Sequence, residues 1–184
     1  MPMTCRRPAD VQAHNRQVAE LWDAFWRGEN RRVPIVFATD EYLWLGLTGH
    51  SFREFYTDPR VQLRVSLEGD AWFRENVVHD RPMGPPEDCW QVAPRFWMDE
   101  PEAFGCEVVI QEDDFAWSMP LKGSKADILA RVRDIDPMQS VRSSRLWALY
   151  QQLLDLAAGI EFKGLPVRVP FPGGGTHGVF TVAG

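Results

Sequence analysis

The chain has 184 residues, of which 45% are hydrophobic and 25% charged, a composition typical of a packed globular protein. A formal net charge of -6 and an estimated pI near 5.2 provide no broad basic surface, so we expect no nucleic-acid binding. No stretch approaches the roughly 18 apolar residues of a membrane span, so the sequence predicts a protein outside the membrane.

The three cysteines, Cys5, Cys89 and Cys106, are odd in number and far apart. They form no Cys-x-x-Cys pair and have no histidine at metal-ligand spacing. The sequence therefore predicts neither a disulfide framework nor a zinc site within this chain. We expect a cytoplasmic protein with reduced thiols.

In chain order, the first predicted elements are a helix and a buried strand. Apolar residues from Val11 to Phe25 recur mostly every three or four residues, which predicts an amphipathic helix that begins after Pro8 and ends near Gly28. The apolar run at residues 33–37 predicts a strand buried on both faces, as in a parallel sheet.

The next segment, TDEYLWLGLTGHS, is predicted to be an aromatic-rich loop. Ser51 and Asp58 are suitable N-caps and Pro59 suits a first helical position, so a long helix is expected to reach Phe73. Residues 77–89, rich in proline and glycine, predict a connection. Residues 90–98 predict a second strand, although a proline within it is unfavourable.

The second half of the chain is predicted to contain a hairpin, two helices and a third strand. Residues 106–120 predict two extended pieces joined at an acidic run. Ser124 predicts the start of one helix, and residues 140–159 predict a second, amphipathic helix. The strand at residues 165–171 leads into PFPGGGTHG. Its glycines predict a tight strand-to-helix turn, since the features of a nucleotide phosphate loop are missing.

Alternating strands and helices predict a parallel α/β fold. A complete (β/α)8 barrel takes about 250 residues, whereas this sequence has three buried strands and ends where a helix begins. The predicted fold class is therefore the N-terminal half of a (β/α)8 TIM barrel, with parallel strands and an inserted hairpin. Residues 1–184 would form a single partial domain.

Four segments, RVPIVF, SFREFYTDPRVQLRVSLEGDAWFREN, EAFGCEVV and LPVRVPFPGGGTHGVFTVAG, resemble the N-terminal half of the uroporphyrinogen decarboxylase superfamily, in the same order. The resemblance implies a (β/α)8 barrel that acts on a tetrapyrrole or on a corrinoid-linked methyl group. It also implies that the zinc ligands of a methyltransferase lie in a second half beyond this sequence. A corrinoid protein and zinc would then belong to the complete enzyme.

The segment after the first predicted strand favours one branch of that superfamily. The true decarboxylases have an arginine-bearing segment there that binds substrate carboxylates, whereas this chain has FATDEYLWLG. Arginine binds carboxylates through paired hydrogen bonds, and acidic side chains repel them. Corrinoid-dependent methyl transfer is therefore the preferred prediction. Uroporphyrinogen decarboxylation in porphyrin biosynthesis is one alternative. The other is a non-catalytic half-barrel module for binding or assembly, completed by a C-terminal half-barrel or a second copy.

The predicted site lies at the mouth of the barrel, where strands end and active sites lie in this architecture. The candidate catalytic residues are His177, after the third strand, and Asp99, near an aspartate that the decarboxylases place beside the pyrrole nitrogens. The candidate substrate-binding residues are Asp40, Glu41, Tyr42, Gly173, Gly174, Gly175 and Thr176. Purely structural interpretations also remain open: a solvated acidic loop, a capping threonine and a partly exposed histidine.

Overall fold

The computed structural model describes residues 10–171, which fold into eight helices and five short strands. The helices are α1 (Val11–Arg27), α2 (Glu41–Thr48), α3 (Phe52–Thr57), α4 (Pro59–Asn76), α5 (Asp99–Ala103), α6 (Lys125–Arg133), α7 (Pro137–Ser143) and α8 (Arg145–Ala157). The strands are β1 (Trp90–Gln91), β2 (Glu107–Val109), β3 (Trp117–Met119), β4 (Glu161–Phe162) and β5 (Leu165–Arg168). No helix in this part of the chain is long and apolar enough to cross a membrane.

Side-chain caps determine where several helices begin. Ser51 and Ser124 each form a capping box, at the starts of α3 and α6. Asp58 accepts a hydrogen bond from the backbone N–H of Arg60 at 2.8 Å, with Pro59 at the first position of α4. These three predicted helix starts are confirmed, as is α1 between its cap at Asp10 and residue 28.

Two groups of buried side chains form the core, and α4 and α8 contribute to both. The first group is mostly aromatic and includes Trp44, Phe52, Phe55, Tyr56, Val65, Phe96 and Leu149. The second group includes Leu63, Leu67, Trp90, Val92, Leu153 and Val167. Because both helices have buried residues in each group, they join the aromatic helices of the N-terminal half to the sheet.

The strands form two small sheets. In the first, the order is β1-β5-β4: β1 is parallel to β5, with Trp90 opposite Val167, and β4 is antiparallel to β5. The second is the antiparallel pair β2 and β3, with Glu107 opposite Met119. The predicted hairpin is therefore confirmed, and the second and third predicted strands do lie parallel where they pair.

The predicted fold class, the N-terminal half of a (β/α)8 barrel, is wrong for the described residues. Such a half needs several neighbouring parallel strands, but one parallel pair is present and the other pairings are antiparallel. The first predicted strand belongs to neither sheet. Its side chains Val33, Ile35 and Phe37 are 65%, 58% and 55% exposed. The fold is a mixed α/β arrangement dominated by helices.

Residues 33–37 are held by His79, Asp80 and Arg32 rather than by a neighbouring strand, and the N–H of Asp80 also donates to the carbonyl of Ile35 at 2.9 Å. The backbone N–H of Ile35 donates to Asp80 Oδ2 at 2.6 Å, and that of Phe37 donates to His79 Nδ1 at 3.1 Å. Arg32 donates to both oxygens of Asp80, at 2.5 and 2.7 Å. The hydrogen bonds from Arg32, and to a smaller extent that from the Ile35 N–H, lower the pKa of Asp80 to about 2. The segment therefore has fixed hydrogen-bond partners without a sheet.

Two other predicted elements differ from the structure. The predicted loop after residue 38 contains α2, which buries Trp44 against Gly69 of α4. The helix predicted over residues 140–159 is divided at Ser144, whose backbone is extended (ψ 154°) and whose hydroxyl caps α8. The first difference comes from packing between segments distant in sequence, whereas the second has a local cause in the cap made by Ser144.

Candidate functional site

A cavity of about 300 Å³ lies between α5, α7, the C-terminal end of α6 and the first turn of α8. Its volume is at the lower end of the range of small-molecule sites, about 300 to 1,000 Å³. Most of its walls are apolar, formed by Ala103, Phe104, Val132, Ile135, Pro137, Val141, Leu146, Trp147 and Phe171. Asp99, Glu100, Ser140 and Ser144 are the polar residues that line it.

The bend between α7 and α8 shapes one wall of the cavity. The hydroxyl of Ser144 donates to the backbone carbonyl of Val141 at 2.7 Å and accepts from the N–H of Trp147 at 3.1 Å. This buried hydroxyl therefore already has protein partners. Ser144 therefore sets the bend that brings Val141 and Trp147 to the cavity. Of the two serines that line the cavity, Ser140 is the more exposed.

Glu102 fastens α5 to α8. Its carboxylate accepts from the backbone N–H of Arg145 at 3.1 Å and lies 3.6 Å from Arg145 Nε. A carboxylate at a helix N-terminus also interacts favourably with the helix dipole. The Arg145 guanidinium lies over the ring of Phe96, 5.0 Å from its centroid. These contacts hold the helix that carries Asp99 against the start of α8.

Aromatic rings pack against each other at the cavity wall. Phe171, which follows β5, packs edge-on against Trp147 and Tyr150, with ring centroids 5.9 and 5.6 Å apart. Such edge-to-face pairs contribute stabilising free energy in addition to that from the apolar area they bury. They connect the C-terminal end of the sheet region to the cavity wall.

Asp99 and Glu100 are half-buried carboxyl groups of the cavity, and the pKa of Asp99 is shifted. Burial raises its pKa above the ordinary value, and the neighbouring carboxylates of Glu100 and Glu102 raise it further. Hydrogen bonds from the backbone N–H groups of Asp99 and Glu100 act in the opposite direction. The carboxyl group can pair with a cation when ionised, and can donate a hydrogen bond when protonated.

The predicted site residues that fall within residues 10–171 do not lie together. Of these, Asp99 lines the cavity, whereas the three at the start of α2 do not. Asp40 is exposed and makes no side-chain capping bond. The Tyr42 hydroxyl donates to Asp114, on the hairpin connection.

Glu41 is buried, 1% exposed, and accepts hydrogen bonds from Arg95 Nη1 and Trp97 Nε1, both at 3.1 Å. The Arg95 guanidinium also lies 4.3 Å from the centroid of the Trp44 ring. These are internal partners, so in this structure Glu41 has a structural role in joining α2 to the segment before α5.

The remaining predicted site residues lie outside residues 10–171, which the structure describes: Gly173, Gly174, Gly175, Thr176 and His177. Their assignment to substrate binding and catalysis stays a prediction. In the described part of the chain, no three His, Cys, Asp or Glu side chains come together as metal ligands.

The residues of α7 and α8 that line the cavity were missed by sequence reasoning. Val141 and Trp147 belong to residues 140–159, whose pattern predicts one amphipathic helix. A Ser-Ser pair in that segment, Ser143 and Ser144, is the signal that favours a new helix start there. A break at Ser144 turns part of the apolar pattern toward α5 instead of the core.

Comparison with known proteins gives no family for this chain: no family model, curated protein or solved structure matches it. The resemblance to the uroporphyrinogen decarboxylase superfamily therefore stays a prediction from the sequence.

Proposed function

We propose that the protein binds a small, mostly apolar molecule in the cavity between α5 and α8, with Asp99 as its principal polar contact. The observation that supports this most is the meeting of apolar walls with a half-buried carboxyl group, Asp99, that takes part in no ion pair among residues 10–171. Ligand sites typically combine apolar walls, which supply affinity, with a few polar groups, which set orientation.

The expected affinity is modest. Burial of apolar surface contributes about 25 cal/mol per Å², and part of this is offset by the ligand's loss of translational and rotational freedom. A cavity of about 300 Å³ holds a compact aromatic or branched aliphatic group. We therefore expect dissociation constants between micromolar and millimolar for simple compounds.

Ligand-observed NMR with neutral aromatic compounds, such as indole and 2-phenylethanol, tests this proposal. Ser140→Leu places a larger apolar side chain at the cavity wall, so we expect it to weaken binding at least several-fold. Gln139→Leu is the matched control because Gln139 is its exposed neighbour on α7 and does not line the cavity. Absence of binding to the unmodified protein, or equal effects of the two variants, would contradict the proposal.

Corrinoid-dependent methyl transfer is a second candidate function, supported by the four sequence segments that occur in the order of the resembled superfamily. Uroporphyrinogen decarboxylation and a non-catalytic binding or assembly module are its alternatives. A methyl-transfer assay with a corrinoid donor and a thiol acceptor, run beside a porphyrinogen decarboxylation assay, separates the two reactions. Turnover in the decarboxylation assay alone would reverse their order.

A further inference from the structure

We propose that the ligand of the Asp99 cavity is an organic cation, with an apolar body and a protonated amine, an inference that rests on the proposed binding function. Among residues 10–171, the charged residues that line the cavity, Asp99 and Glu100, are both acidic, and no Lys, Arg or His of this range lines it. A ligand with a carboxylate would be repelled by these acidic side chains when it enters the cavity and its own charge is removed from water.

Asp99 has no basic partner within residues 10–171, since neither Asp99 nor Glu100 takes part in any ion pair there. The nearby basic residue Arg145 is engaged by Glu102 and packs over Phe96. The backbone N–H groups of Asp99 and Glu100 compensate this half-buried carboxylate only in part for its lost hydration, since burial still raises its pKa. A ligand ammonium group would complete that compensation through charge-assisted hydrogen bonds.

The aromatic residues of the cavity favour the same ligand class. Phe104, Trp147 and Phe171 all contribute to its walls. The faces of aromatic rings attract cations, tryptophan most strongly, and the attraction grows as the cation loses water. A cavity that is lined by both acidic and aromatic side chains therefore suits an amine attached to an apolar body.

Three probes with the same aromatic body test this inference: 2-phenylethylamine as the cation, 2-phenylethanol as the neutral compound and 3-phenylpropionate as the anion. Binding to the 184-residue chain is measured at pH 7 by ligand-observed NMR titration. We expect the amine to bind about ten-fold more tightly than the alcohol, as for hydrogen bonds to charged groups. The anion should bind most weakly.

Asp99→Asn removes the charge and keeps the size of the side chain. We expect the amine to bind this variant no more tightly than the alcohol does, and the affinity for the alcohol to change less than about two-fold, because the apolar walls remain. Asp134→Asn is the matched control: it makes the same change in net charge at an exposed residue near the cavity that does not line it. Thermal melts establish that both variants are folded.

The outcomes separate this inference from the binding function on which it rests. Equal binding of the three probes would overturn the cation assignment and leave the cavity as an apolar site. Binding of none of them would contradict both proposals. An amine preference that survives in Asp99→Asn, or that is lost equally in Asp134→Asn, would show that Asp99 does not select the cation.

Discussion

Asp99 opposes folding at neutral pH. Because burial raises its pKa, the folded protein binds this proton more tightly than the unfolded chain does, and ionisation of Asp99 therefore weighs against the folded state. We expect Asp99→Asn to increase the free energy of unfolding at pH 7. The gain should shrink as the pH falls through the raised pKa of the folded state, and it should be absent below the ordinary aspartate pKa of about 4, where Asp99 is protonated in both states. Melts from pH 3 to 7 measure this, and a gain that is constant with pH would contradict it.

Glu41 has the opposite effect on stability. Its buried carboxylate is the acceptor for Arg95 and Trp97, so Glu41→Ala leaves both donors without their partner. Removal of one member of a buried ion pair costs about 3 to 5 kcal/mol, and we expect the lower end because the Arg95 side chain is 29% exposed.

Glu68→Ala is the matched control for Glu41→Ala, measured by urea unfolding. Glu68 pairs with Arg64 on the surface of α4, where both side chains are well exposed. Such pairs contribute about 0 to 1 kcal/mol. If the two variants lost equal free energies of unfolding, the contacts of Glu41 with Arg95 and Trp97 would not be the buried pair described above.

For single residues, the sequence predicts chemical character but not burial or hydrogen-bond partners. Acidic character at positions 40, 41 and 99 is visible in the sequence, and Asp99 was selected as a site residue for its place in a barrel that the structure does not contain. Burial and partners are not visible, because the donors to Glu41 are 54 and 56 residues away in the chain.

Between elements, the contact of α2 with α4 depends on the absence of a side chain at one position. A Cβ at Gly69 would overlap the ring of Trp44, whereas a Cβ at Gly46 of α2 meets nothing. Alanine is favoured over glycine in a helix by about 0.8 to 1 kcal/mol. Gly46→Ala should therefore stabilise the protein, while Gly69→Ala should destabilise it by about 1 to 3 kcal/mol, the usual cost of overpacking. Urea unfolding compares the two, and stabilisation by Gly69→Ala would contradict the close packing of α2 on α4.

Helix caps in the sequence were sufficient to predict where the capped helices begin. Caps at Ser51, Asp58 and Ser124 determine helix starts in the structure as in the sequence. In contrast, α2 has an N-cap without a side-chain bond and a pattern rich in aromatics, so its helix depends on burial of Trp44. Residues 33–37 have the composition of a buried strand, but Asp80 and His79 take two of their N–H groups.

At the scale of the whole molecule, α8 makes the two groups of core residues one unit. Leu149 belongs to the first group and Leu153 to the second, and both are buried. We expect Leu153→Ala to cost about 2 to 5 kcal/mol and to shift tryptophan fluorescence and far-UV circular dichroism together. Leu154→Ala, at a partly exposed neighbour, should cost less than about 1 kcal/mol. Two separate unfolding transitions in Leu153→Ala would contradict a shared core.

The pairing of strands is the property that the sequence determines least directly. Alternation of strands and helices predicted parallel neighbours, which is right for β1 and β5. The same rule gave no indication of β4, whose short antiparallel pairing with β5 depends on a turn at Lys163 and Gly164, with φ of 49° and 79°. Lysine rarely adopts positive φ, so nothing in its identity predicts that turn.

The attachment of residues 33–37 has a consequence for amide hydrogen exchange. In a sheet, protection from deuterium follows the ladder of backbone bonds and is lost when the sheet opens. Here the N–H of Ile35 is covered by a carboxylate and that of Phe37 by an imidazole, while the N–H of Val36 has no acceptor among residues 10–171. Protection should therefore alternate along the segment. At Ile35 it should depend on the charge of Asp80, so that a side chain, rather than a neighbouring strand, sets the rate of deuterium uptake.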